Sequence, residues 1–226
     1  MKLAHPYING VIQFKENTVQ TLVVENSNFF FELTNDFLYQ VLGLKGKTIL
    51  SLNNEQIDFS KNAELISQFL PFDMNTKHLV TKIISLLEKK ALDAAFYTST
   101  QELMQQIESL TFDLAFDLPC DIQCSKLSFL NILKSLGITI VDDSIDLAEK
   151  LLNYMELVRE LDKNKLFIFI NLRSYIDDNK MQLFFDTITK KDFSVLLVDN
   201  CEKGLIEKEN RFIIDADLCE IERRHN

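Results

Sequence analysis

The chain has 226 residues, a formal net charge of −10, 46% hydrophobic residues, and 18 Phe with no Trp. That length suits one good-sized domain or two small ones sharing a core, and the acidity argues at face value against nucleic acid as a partner. No apolar run approaches the length of a membrane span and the N-terminus shows no signal-peptide pattern. Four scattered cysteines, Cys120, Cys124, Cys201 and Cys219, make no disulfide framework, so a cytoplasmic setting is expected.

In chain order, Val11 to Phe14 and Thr18 to Glu25 read as a hairpin turning at Lys15-Glu16-Asn17. A helix follows from Ser27 or Asn28, with Phe30, Leu33, Phe37, Leu38 and Val41 along one face, and Gly43 ends it. Thr48 to Leu52 and Gln56 to Phe59 are short strands around Asn53-Asn54, a turn signal.

Lys61 to Leu136 contains no Gly and reads as helical. Pro71 closes a helix near Leu70. Asn75 is the expected N-cap of a long helix that buries Leu79, Ile83, Leu86, Leu87 and Ala91. A second long helix, Ser99 to Phe116, turns Leu103, Ile107, Leu110 and Leu114 inward, and a third is capped by Ser125 and ends at Gly137.

The next stretch alternates strand and helix. Ile138 to Asp143, Leu166 to Asn171 and Ser194 to Asp199 are apolar runs closed by polar residues. Unbroken apolar strands need cover on both faces, the habit of parallel sheets flanked by helices. Ser144 to Glu160 and Asp177 to Lys190 are amphipathic and long enough to serve as crossovers. The organisation expected is α/β, with residues 1–60 plus 137–226 forming a parallel-sheet head and residues 61–136 an inserted helical leg.

Gly46-Lys47-Thr48 looks like the end of a phosphate-binding loop. However, the first glycine of that motif would fall on Val41, and Ile49 to Leu52 reads as a strand where a helix is required. Asp199 resembles the acid of a metal-binding strand end; without a phosphate loop, its plainer role is to cap a turn. His5, His78 and His225 are too dispersed for zinc. Asp113, Asp117 and Asp121 are four apart, which suits either a hard cation or a solvated acidic face.

The negative charge is uneven. Residues 61–136 carry seven Lys against nine acids, while the last ninety residues carry thirteen basic against nineteen acidic residues. Lys82 and Lys89 share a helix face with Lys90 beside them, and Lys126 and Lys134 fall on the third helix. Such lysines ordinarily solubilise a helix. They grip DNA when symmetry gathers several copies around one duplex, because each phosphate contact releases counterions.

Several blocks resemble the type II-A CRISPR spacer-acquisition ring proteins. They are Asn131 to Ile140 (NILKSLGITI), the helix over Asp146 to Glu156, Asn164 to Asn171 (NKLFIFIN), Phe72 to Asn75 (FDMN), the SVLLVDN strand, and the Arg211 to Leu218 tail (RFIIDADL). The likeness spans Val11 to Leu218, loosely over the first sixty residues. It implies a degenerate P-loop-like α/β head with an inserted helical leg and no nucleotide cofactor or catalysis. It also implies a homotetrameric ring stabilised by calcium, threading double-stranded DNA ends without sequence preference beside the integrase proteins and effector nuclease of the adaptation complex. Asp117 and Asp121 match the family's metal-binding acids, whereas Pro119, Gln123, Ser125 and Lys126 stand where further acids are expected. Lys134 matches a family lysine; Lys82, Lys89, Lys90 and Lys126 are DNA-binding candidates by position. The alternative is a phosphotransferase or NTPase with a non-standard phosphate loop, resting on the parallel strands, Lys47 and Asp199. A third reading is an acidic scaffold for protein partners.

Overall fold

Strands buried on both faces set the centre of the fold. The structure is a computed structural model describing residues 1–15, 17–124 and 127–224. Its elements run β1 (Lys2–Ala4), β2 (Ile12–Gln13), β3 (Val19–Val24), α1 (Ser27–Val41), β4 (Ile49–Leu52), β5 (Glu55–Ile57), the one-turn α2 (Phe59–Asn62) and β6 (Ala63–Ile66). Then come α3 (Lys77–Ala91), α4 (Tyr97–Ala115), α5 (Phe129–Ser135), α6 (Leu147–Leu161), β7 (Leu166–Ile170), α7 (Asp178–Lys190), β8 (Ser194–Asp199), β9 (Glu209–Ile214) and β10 (Glu220–Arg224). The chain divides into two units, Met1–Phe72 with Asp143–Asn226, and Asp73–Asp142.

The first unit is mixed α/β. Its main sheet has the order β10-β9-β3-β8-β7-β6; five strands are parallel, and β10 runs antiparallel to β9. All six residues of β3 are buried, as are most of β7 and β8, which fits strands covered on both sides. On one face, Leu22, Val24, Leu166, Ile168, Leu196 and Val198 share a core with Phe29, Leu33 and Phe37 of α1. That core also takes in Leu3 and Leu50 of a small antiparallel sheet ordered β2-β1-β4-β5. On the other face Phe169 meets Phe184 of α7 edge-on, ring centroids 6.0 Å apart. Leu151 and Met155 of α6 are fully buried. Each such side chain contributes roughly 1.5–3 kcal/mol relative to exposure. Helix starts follow local chemistry. Asn26, Asp146 and Asp177 accept hydrogen bonds from the first-turn amides of α1, α6 and α7, satisfying donors the helix cannot.

Several expectations change. Val11 to Glu25 is no hairpin: β2 pairs with β1, and β3 lies between β8 and β9 in the other sheet. Residues 63–66 form edge strand β6 beside β7, so tertiary pairing overrides a helix-favouring composition. No helix ends at Leu70. Residues 138–143 form no strand; the Asn75 amide takes the Ile140 N–H at 2.7 Å and donates to its carbonyl at 3.0 Å. Asn75 is therefore occupied away from the helix start, and Thr76 caps α3. Ser128 stands at the start of α5; Ser125, the expected cap, lies outside the described residues.

In the second unit α3 packs against α5. The expected inward face of α4 does not hold within one chain. Leu103, Leu110 and Leu114 are 44%, 58% and 77% exposed, and Thr100 is the only buried residue of that helix. The helical period is right, but among the described residues no element of this unit covers the stripe.

Candidate nucleic-acid interface

Lys82, Lys89 and Lys90 all lie on α3, Lys82 half-buried and the other two exposed. Lys89 and Lys90 occupy the last turn, where a cation also suits the helix dipole. Lys134 is exposed in the last turn of α5, the helix packed on α3. These four lysines therefore stand on two neighbouring helices of one unit. Lys126 lies outside the described residues.

Asp113 is on the last turn of α4, and Asp117 and Asp121 follow it, exposed. Among the described residues no group of three His, Cys, Asp or Glu side chains could hold a metal. Calcium takes six to eight oxygen ligands, so Asp117 and Asp121 within a single chain do not fit that ion. The four cysteines are free.

The Gly46-Lys47-Thr48 stretch is a loop leading into β4, and its Lys47 and Thr48 backbone donors and Thr48 hydroxyl are already taken. The Asp36 carboxylate accepts from the Lys47 N–H at 2.6 Å, the Thr48 N–H at 2.9 Å and the Thr48 hydroxyl at 2.5 Å. Gln40 adds a fourth bond at 2.9 Å. Burial opposes the Asp36 charge, but the bonds from Thr48 and the Lys47 backbone outweigh it and hold its carboxyl below the usual range. A Cβ at Gly46 would stand 2.3 Å from Gln40 Cγ, so any larger residue there must displace the Gln40 side chain that bonds Asp36. His5, buried beside Asp36 at 4.0 Å, has its pKa lowered by burial, which the Asp36 charge only partly offsets.

Asp199 ends β8, next to β3, and is 2% exposed. Around it lies a buried charge cluster that sequence reasoning missed. Arg211 grips Glu209 through two bonds of 2.9 and 2.7 Å and reaches the carbonyls of Lys203 and Gly204 at 2.6 and 2.9 Å. Arg173 joins Gly204 O at 2.7 Å and lies 3.6 Å from Glu209. Its members come from the turn after β7, the β8–β9 loop and β9, and no spacing in the sequence announces them.

Among the described residues no helix is long and apolar enough to cross a membrane. A family model described as "CRISPR-associated protein (Cas_Csn2)" matches residues 40–218. The chain is also similar to "CRISPR-associated protein Csn2" of Enterococcus faecalis, 25% identical over 182 residues that cover 76% of this chain and 79% of that protein.

Proposed function

The chain belongs to the Csn2 family of CRISPR-associated proteins, and we propose that it serves spacer acquisition as a non-catalytic, sequence-independent binder of double-stranded DNA ends. In this reading four copies close into a ring, and the lysines of α3 and α5, with Lys126, meet phosphates inside it. The integrase proteins and effector nuclease of the adaptation complex are its working neighbours.

The observation that carries assembly is α4. Its apolar stripe, continued by Phe116 at 87% exposure, is a large uncovered patch of the kind that marks a protein–protein contact. Closed symmetry would bury it and gather modest basic surfaces from each copy. Phosphate contacts without base contacts carry no sequence information, which fits lysines placed on helices rather than an array of base-reading side chains.

The head is read as a degenerate P-loop-like scaffold. Two features support this. Only Glu25 and Asn26 connect β3 to α1, too short a link to wrap a phosphate. Asn26 also spends its side chain on the Phe29 N–H at 3.0 Å and the Ala216 carbonyl at 2.9 Å.

Light scattering is expected to give a mass of four chains, and calcium chelation is expected to leave it unchanged, since the carboxylate set is thinned. A monomer at high concentration would overturn the ring. In gel shifts, linear duplex should bind and closed-circular duplex should not, with affinity falling steeply in salt. Replacing Lys89 and Lys90 with Gln should flatten the salt dependence, by roughly one unit of log–log slope for each phosphate left unneutralised. Equal retention of both DNA forms would rule out threading.

A further inference from the structure

The exposed side of α1 carries Phe31, Asn35 and Tyr39 at successive steps of four, so all three share one face of the helix. They line a concavity of about 710 Å³ together with Tyr7, Lys45 and Lys47. Three aromatic rings are left to solvent here: Tyr7 is 56% exposed, Phe31 68% and Tyr39 49%.

The floor and rim of this concavity are held firmly. Tyr7 packs edge-on against Phe29 with ring centroids 5.6 Å apart, and His5 lies 5.6 Å from Tyr7 on the buried side. The loop bearing Lys45 and Lys47 is fastened by the Asp36 carboxylate, both of whose oxygens are engaged. Lys47 Nζ stands 5.0 Å from the Tyr7 ring centroid, a cation–π contact. Lys45 and Lys47 stand here beside two acids, Glu32 and the loop-bound Asp36, so the concavity is electrically balanced in a chain whose net charge is −10.

We propose that this concavity binds unpaired nucleotides of a nucleic-acid strand, the bases stacking on Phe31 and Tyr39 and the phosphates meeting Lys45 and Lys47. Aromatic faces beside lysines are the recurring means of holding single strands, because every base offers a π-face. Asn35 between the two rings can pair with a base edge, best with adenine. The site is open rather than enclosing, which suits a strand passing across it; small-molecule pockets bury most of their ligand. Lys47 thereby acquires a phosphate contact that needs no phosphate loop.

The inference rests on the reading of this chain as a nucleic-acid binder, and the test separates the two. Fluorescence anisotropy of the full chain would compare a blunt duplex, the same duplex with a single-stranded adenine tail, and the tail alone. The tail should tighten binding about tenfold, the scale of one or two stacked bases. Phe31→Ala with Tyr39→Ala should erase that gain while leaving blunt-duplex affinity unchanged; both side chains are exposed, and circular dichroism checks the fold. Phe31→Trp should keep the gain. Equal affinity for tailed and blunt duplex overturns the inference and leaves duplex binding standing. No binding to any of the three overturns both. Competition by free ATP as effective as by the tail, or binding of an acidic peptide without the tail, also overturns it.

Discussion

Arg211→Ala is expected to cost about 3–5 kcal/mol of stability, the range for removing one partner of a buried ion pair. The residue is 1% exposed and holds four groups at once: the Glu209 carboxylate by a two-bond fork, the Glu202 carboxylate at 3.3 Å, and the Lys203 and Gly204 carbonyls of the loop that carries the chain from β8 across β3 to β9. That loop has no regular structure of its own; its Lys203 carbonyl bonds to the Arg211 guanidinium, while its Gly204 carbonyl is shared with Arg173. Truncation leaves the Glu209 carboxylate, 2% exposed, with the Ile206 N–H at 2.9 Å and Arg173 at 3.6 Å. Urea unfolding followed by circular dichroism measures the loss. Arg211→Lys should fall between, keeping the charge without the planar fork. A cost below about 1 kcal/mol, typical of an exposed pair, would show that the cluster is solvated and does not organise the loop.

Sequence alone reveals those parts of the fold whose physics is local. β7, β8, α6 and α7 stand out because Leu166–Ile170 and Ser194–Asp199 are apolar on both faces, and α6 before β7 and α7 between β7 and β8 carry Asp146 and Asp177 as caps. The β4–β5 hairpin is legible through Asn53 and Asn54, both of which take positive φ, at 53° and 65°, as asparagine permits. β3 reads as a strand, but its neighbours do not follow from the pattern. Its partners β8 and β9 lie far along the chain, and its Gln20 and Thr21 look solvent-facing although both are buried. Gln20 satisfies its carbonyl through Asn210 at 2.8 Å, a bond across 190 residues that no local pattern contains. Ile138 to Val141 fails as a strand because a short apolar run fits several structures equally well. The same division holds for the site. The lysines of α3 and α5 are readable from helical spacing. The concavity beside α1 is not, because Tyr7 and the Lys45–Lys47 loop are brought to Phe31 and Tyr39 only by the pairing of β1 with β4.

The second large effect concerns acidity. Burial pushes the Asp199 carboxyl from its ordinary 3.8 up to about 6, even though Arg173 and Lys203 pull it down; the Glu209 charge adds to the rise. In the unfolded chain the group reverts to its ordinary value, so between these two values the folded state holds the proton more tightly. Stability from this group is therefore full below pH ~4 and is lost as the pH rises through about 6. The gap corresponds to about 3 kcal/mol at neutral pH. Asp199→Asn, which removes the charge while keeping the shape, should stabilise the protein at pH 7.5 by up to that amount and have little effect at pH 4. Unfolding midpoints for both proteins across this range test it. The wild-type curve should fall relative to the variant between pH 4 and 7. Parallel curves, or a variant less stable at pH 7.5, would mean that the ionised carboxylate is held by Arg173 and Arg211 strongly enough to reverse the effect of burial, so that Asp199 belongs with Glu209 as a structural anion rather than a strained one.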